Sequence, residues 1–172
     1  MTGSGLRGVA AEVTTLMAPC YRPPPFNLTE GEIAEYSIDL ERQLGHEDLR
    51  ATTAWGADRL IGVAYGFHGP ERIPDAGEFY GPVVSALGRP RVDRLLSGRP
   101  FEVVQVMVEP STQRLGVGRD LLERLVTDVA RAWLVTLPDS PASRLYRSAG
   151  WQPLQPSFSR WGREHEIWGR GI

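Results

Sequence analysis

The stretch VMVEPSTQRLGVG, residues 106–118, decides how this chain reads. An apolar run ends at Val108, a turn follows, and Gly116 and Gly118 open a helix. That helix sets Leu122, Leu125, Val126 and Val129 opposite Arg119, Glu123, Arg124, Thr127 and Asp128. A strand that turns through glycine into a helix start is an anion site. The first N–H groups of a helix have no intrahelical acceptor, and the macrodipole adds positive character there, so a phosphate is held without a lysine. Glycines without a Cβ let the backbone approach such a ligand closely. Two other phosphate loops are excluded. A P-loop requires a lysine after its last glycine and this chain has none; a dinucleotide fingerprint requires a third glycine where Leu121 stands.

Outward from this stretch, residues 101–108 read as a strand and residues 115–131 as the helix that follows it. Residues 132–137 are apolar but for Thr136, as suits a buried central strand. Residues 142–149 read as a short helix stopped at Gly150, and residues 151–158 and 165–168 as two closing strands. Towards the N-terminus, residues 6–17 carry Val9, Val13, Leu16 and Met17 on one helical side, with a stop expected before Pro19. Residues 21–26 form a stiff, proline-rich connector. Thr29 and Glu32 have capping-box spacing and open a second helix that ends at Gly45. Residues 51–55 and 60–65 flank a turn at 56–59 and read as a hairpin. Residues 67–100 scatter Gly and Pro, with one short helical piece at 92–96; a connection of that length is usually functional or disordered.

At 172 residues the chain suits one domain, 1–172, with 67–100 as an insertion between strands. A net charge of −2 argues against a nucleic-acid partner. With no lysine, Schiff-base and pyridoxal chemistry are excluded. Cys20 is the only cysteine, so an internal disulfide or cysteine-cluster metal site is excluded, and it reads as a small buried hydrophobe. His46, His68 and His165 lack metal-ligand spacing and read as surface or capping residues. No apolar run approaches the ~20 residues needed to span a bilayer, and no signal segment opens the chain, so no membrane association and a cytoplasmic location are expected.

Gln113, Arg114, Leu115, Gly116, Val117 and Gly118 resemble the Gln/Arg-x-x-Gly-x-Gly/Ala loop of the GNAT superfamily of N-acetyltransferases. Downstream, residues 139–151 resemble that superfamily's Asn-x-x-Ala-x-x-Leu-Tyr-x-x-x-Gly-Phe segment, with Asp139 in place of Asn and Trp151 in place of Phe. The nearest likeness is to actinobacterial-type members, which supplies no substrate. The resemblance implies an α/β fold with a central mixed, twisted sheet flanked by helices. It further implies acetyl-CoA as cosubstrate, no metal, and transfer of acetyl to a primary amine of a small molecule or peptide by direct attack in a ternary complex. A homodimer is left open. The alternative is a non-catalytic acyl-CoA-binding or sensing module.

By the same resemblance, cofactor contacts fall on Val106, Met107 and Val108 through their backbone, on residues 113–118, on Arg119 and on Asp139. Tyr146 is the candidate general acid, since a phenol can protonate a departing thiolate; helical spacing with Ala142, Leu145 and Ala149 equally fits a core tyrosine. Glu102 is the preferred base, matching in position a carboxylate of the histone-acetyltransferase branch. Its other reading is a solvated glutamate at a strand start. Glu109 is expected to face solvent. An acceptor site is expected between residues 21–28, the 67–100 segment and a loop at 153–163. Tyr21, Phe26, Tyr80 and Trp161, with Phe79 and Phe158, would offer apolar and cation–π surface there, and Glu71, Asp75 and Glu78 would attract an ammonium.

Overall fold

In order along the chain the elements are α1 (Gly3–Arg7), α2 (Ala10–Tyr21), α3 (Glu30–Gln43), β1 (Arg50–Trp55), β2 (Leu60–His68), α4 (Tyr80–Leu87), α5 (Arg89–Leu96), β3 (Phe101–Val108), α6 (Val117–Leu125), β4 (Ala132–Thr136), α7 (Pro141–Ser148), β5 (Gln152–Arg160) and β6 (Arg163–Arg170). This is a computed structural model, and it describes residues 1–77, 79–160 and 162–172. Glu78 and Trp161, both expected near an acceptor, lie outside the described residues. The hydrogen-bonded strand order is β1-β2-β3-β4-β6-β5. β3 runs parallel to β4 and the other described pairings are antiparallel, which makes the sheet mixed. The chain forms two compact units: residues 1–67 with 104–127, and residues 68–103 with 128–172.

In the first unit the capping box forms as its spacing predicts: the Glu32 N–H donates to the Thr29 hydroxyl and the Thr29 N–H donates to the Glu32 carboxylate. The first helix differs from the sequence reading. It divides at Gly8, and α2 then runs through Pro19 to Tyr21. Pro19 removes one helical hydrogen bond, a cost of about 3 kcal/mol in a helix interior. Here it falls in the last turn, and α2 buries Val13, Leu16, Met17 and Tyr21 in a core shared with Ile33, Leu40, Val63 and Tyr65. Each buried aliphatic side chain contributes roughly 1.5–3 kcal/mol, so the packing outweighs the lost bond.

α6 is also shorter than its apolar stripe. It ends at Leu125, and Asp128 takes φ +63°, in the left-handed region. The Thr127 hydroxyl donates to the Glu123 carbonyl at 2.9 Å, occupying an acceptor that the final turn leaves open.

In the second unit, residues 80–96 are two helices where the sequence suggested one short piece. Pro82 and Pro90, which look like breakers, stand in the first turns of α4 and α5, where an N–H has no intrahelical acceptor in any case. Gly88 separates the helices at φ +77°. Val83, Leu87, Val92 and Leu96 then pack with Ile73, Trp133 and Ile167. The loop expected at 153–163 is in large part β5, paired with β6 from Gln152↔Gly169 to Arg160↔Arg163. That pairing opposes Phe158 to His165 and buries His165, which corrects its reading as a surface or capping residue.

Candidate functional site

The first unit carries the expected anion site. The Glu109 N–H donates to the Ile61 carbonyl at 2.8 Å, and the Glu109 carbonyl accepts from the Thr112 N–H at 2.9 Å, closing a single 3-10 turn over Pro110–Thr112. The Glu109 side chain is 15% exposed and does not simply face solvent as expected. Arg59, from the β1–β2 turn, hydrogen-bonds and ion-pairs with it, and the Ser111 hydroxyl donates to it at 2.9 Å. The Arg59 hydrogen bond, then that from Ser111, hold the Glu109 carboxyl below its ordinary value. Gln113 Nε2 donates to the Val108 carbonyl at 3.0 Å, so the glutamine of the motif fastens the loop to its strand. Beside this clamp a groove of 240 Å³ runs along α2 past Ala11, Glu12, Thr15, Leu16 and Pro19.

Beyond the clamp, Arg114 takes φ +62° and Gly116 φ +90°. A Cβ on Gly116 would meet nothing within 4 Å, so it is the left-handed backbone, not crowding, that selects glycine there. The first helical bond of α6 runs from the Asp120 N–H to the Gly116 carbonyl at 3.0 Å. The N–H groups of Val117 and Gly118 precede it and have no acceptor within the helix. Gln113, Arg114, Leu115, Gly116 and Arg119 are exposed, Leu115 at 74%. Below them α6 is seated firmly: Leu121, Leu122 and Leu125 are buried, and the Thr52 hydroxyl of β1 donates to the Leu121 carbonyl at 2.9 Å. Free helix-start donors, a positive dipole end and two exposed guanidinium groups suit a multiply charged anion such as a pyrophosphate.

On the strand that feeds this loop, Met107 is core while Val106 and Val108 are half-buried. The Val108 carbonyl accepts from Gln113 and also from the Cys20 thiol at 3.4 Å. Burial, with the nearby Glu109 charge adding, raises the Cys20 thiol to about 12 against the opposing bond to Val108. Tyr21 ends α2 in the core, edge-on to Phe26 at 5.0 Å and stacked on Tyr36 at 5.3 Å, and its hydroxyl donates to Gln105 Oε1.

The second unit holds the acid–base candidates. Glu102 is 5% exposed, which removes its reading as a solvated strand-start residue. It lies beside Trp133 in the β3–β4 register, and the Tyr80 hydroxyl donates to Glu102 Oε2 at 3.1 Å. Burial first, and then the Glu102 charge, raise the Tyr80 phenol far above its ordinary value. Tyr146 is buried in α7 with its ring 5.9 Å from that of Trp151, and burial alone raises its phenol well above the usual range. It therefore stays a protonated donor at neutral pH. Asp139 is exposed at φ +54°, just ahead of Ser140. Ser140 caps α7, accepting from the Ser143 N–H at 3.0 Å and donating to the Leu137 carbonyl at 2.8 Å. Asp75, expected to attract an ammonium, is paired with Arg89 at 2.9 Å.

Sequence reasoning did not find the Arg59–Glu109 clamp or the Tyr80–Glu102 contact, which join residues 50 and 22 positions apart and leave no local signal. Among the described residues no group of three or more His, Cys, Asp or Glu is placed to hold a metal, and no helix is long and apolar enough to cross a membrane.

The profile of the Acetyltransferase (GNAT) family matches residues 11–151. The chain belongs to this family. Solved GNAT-type structures resemble it over nearly its whole length. PaiA N-acetyltransferase from Thermoplasma acidophilum, in complex with coenzyme A, is 10% identical over 100% of this chain and 96% of its own, with a TM-score of 0.61. An acetyltransferase from Thermus thermophilus is 15% identical over 100% and 94%, TM-score 0.59. A GNAT-family structure from Desulfovibrio desulfuricans is 18% identical over 95% and 92%, TM-score 0.62. At these identities the likeness is one of fold. No curated protein matches the chain in sequence. As GNAT acetyltransferases use acetyl-CoA as cosubstrate, the open N–H groups at the start of α6 fit its pyrophosphate.

Proposed function

We propose that this GNAT protein transfers an acetyl group from acetyl-CoA to a primary amine of a small molecule or peptide, by direct attack in a ternary complex. The observation that carries the reading is the pinned turn from β3 into α6, with its left-handed Gly116 and the free donors at Val117 and Gly118. Val106, Met107 and Val108 through their backbone, residues 113–118, Arg119 and Asp139 form the cofactor-binding set. Arg114 and Arg119 add charge at the anion end. Acetyl-CoA supplies an activated thioester when bound. Glu102 receives the proton that the amine loses, directly or through water; its burial, which disfavours the charged form, supports a base that can take up a proton. Tyr146 gives its proton to the departing thiolate; burial keeps its phenol protonated at neutral pH while making it a weaker acid than an ordinary phenol, so the role rests on the resemblance of its segment to the family motif. Of the aromatics expected near the acceptor, Tyr80 is the one that lies beside Glu102, and this reading keeps it in that role. The chain acts as one GNAT domain over 1–172, in the cytoplasm, as an actinobacterial-type member of its family, and a homodimer is compatible with the reading.

The test is release of free CoA from acetyl-CoA across a panel comprising polyamines, an aminoglycoside, free amino acids and unblocked peptides. Release that depends on one class of amine is the expected result. CoA binding without release for any member would leave a binding or sensing module in place of an enzyme.

A further inference from the structure

We propose that Tyr80 is the positioning residue for Glu102: its phenol holds the carboxylate in one orientation, which makes α4 part of the proton-handling end of the enzyme. The inference rests on the reading of Glu102 as base. A carboxylate 5% exposed needs donors, because buried charge without hydrogen bonds is strongly disfavoured. Tyr80 provides one at 3.1 Å from the first residue of α4. Neighbours across a parallel pair project to the same face, so Glu102 and Trp133 lie side by side on one face of the sheet. Over that face the Tyr80 ring is fixed by two others: edge-on to Phe79 at 5.1 Å and tilted against Trp133 at 6.4 Å, with Phe79 itself 6.0 Å from Trp133. A tyrosine has two side-chain torsions, and three mutually packed rings leave its hydroxyl little freedom to point elsewhere.

The polarity of the contact is also fixed. The Tyr80 phenol lies so far above a carboxylate's range that it keeps its proton while Glu102 titrates, so Tyr80 always donates. A bond to the charged form stabilises that form, opposing the effect of burial. Both bear on where Glu102 exchanges its proton. On the same patch the Trp133 indole N–H is buried with no acceptor among the described residues. This second donor suits a place where an oxygen of solvent or substrate comes to rest during proton transfer.

Among the described residues, several titratable groups on neighbouring elements have contacts of their own. His68 at the end of β2 lies edge-on to Phe101 at 5.3 Å, Arg131 donates to the carbonyls of Leu95 and Ser97, and Glu166 of β6 accepts from the Trp168 indole at 2.9 Å.

The experiment follows the Glu102 carboxyl directly by carbon-13 NMR in full-length protein labelled at glutamate, with its resonance assigned by its loss in Glu102→Gln. Tyr80→Phe keeps the three rings and removes only the donor. Its expected effect is a rise of about one pH unit in the Glu102 midpoint. The acidic limb of kcat/KM, measured with the most active amine of the panel, should rise by the same amount, while KM for acetyl-CoA stays within about twofold. A Glu102 midpoint unmoved in folded Tyr80→Phe overturns the proposal and leaves Glu102 as base. An acidic limb that persists in Glu102→Gln removes the base reading, and the positioning role falls with it. Should Tyr80→Phe fail to fold, full-length protein with 3-fluorotyrosine at its tyrosines decides: a more acidic phenol is a stronger donor, so the Glu102 midpoint should fall, and an unmoved midpoint overturns the proposal too.

Discussion

Gly62 lies in β2 beneath the start of α6, and a single methyl there should act on CoA binding through packing alone. A Cβ at this position would stand 2.9 Å from Leu121 Cδ1, 3.2 Å from the Met107 carbonyl oxygen and 3.3 Å from Val117 Cγ1. Ordinary contacts begin at 3.4 Å, so the Leu121 methyl must retreat by about half an ångström. Leu121 can turn; the Met107 carbonyl belongs to the strand and cannot. The compliant partner is the first turn of α6, which carries both Val117 and Leu121, and it should lift. Overpacking of this kind costs about 1–3 kcal/mol, and replacing a strand glycine by alanine returns about 0.5–1 kcal/mol. Gly62→Ala should therefore lose up to about 2.5 kcal/mol, a fall in Tm of up to roughly 10 °C for a chain of this size. Because the donors at Val117 and Gly118 move with the turn, Kd for CoA should rise about three- to tenfold, as hydrogen bonds lengthen. Gly31→Ala, on the surface of α3, should leave binding unchanged and raise Tm slightly. Thermal melts and calorimetric CoA titrations together decide. Wild-type Tm and Kd in Gly62→Ala would refute the seating of α6 described here.

Tyr146→Phe should lower kcat by about 10- to 1000-fold with CoA affinity little changed; unaltered kcat when chemistry limits the rate would return this ring to the core. Ser140→Ala removes the cap of α7 and the donor to the carbonyl of half-buried Leu137, so urea denaturation should show a loss of about 1–2 kcal/mol, and a loss below a few tenths would contradict the capping geometry. For Cys20, with its thiol raised to about 12 from an ordinary 9.0, alkylation by iodoacetamide at pH 8 should run roughly 1000-fold slower in the native than in the denatured chain. The raised value also means that its contribution to stability is fully present below pH 9 and is lost as the pH climbs towards 12. A native rate within tenfold of the denatured one would show an accessible thiolate.

The features legible in the sequence were those whose cause is local. Gly116 and Gly150 take φ +90° and +81° where a glycine was needed, and the Thr29–Glu32 box closes as its spacing requires. Misreadings arose where a local signal had two meanings or where tertiary contacts decided. Pro82 and Pro90 read as breakers because a proline in a first turn looks, in sequence, like one in a loop. Pro19 read as a stop because its cost is visible in the sequence and the compensating burial of Tyr21 is not. Glu109 read as exposed because Arg59 reaches it from another turn. The same holds for Glu102: the sequence left burial and solvation open, and the tyrosine that meets it comes from the segment with the weakest pattern.

The most direct test of the account is a calorimetric titration of CoA into the wild-type protein and Gly118→Asp. An aspartate in the first turn of α6 suits the helix dipole, so the fold and its melting should be preserved while the anion site gains a negative charge. The expected result is saturable binding to the wild-type protein and none detectable in the folded variant at a CoA concentration about 100-fold above the wild-type Kd. An unchanged Kd in folded Gly118→Asp would contradict the claim that the start of α6 holds the cosubstrate.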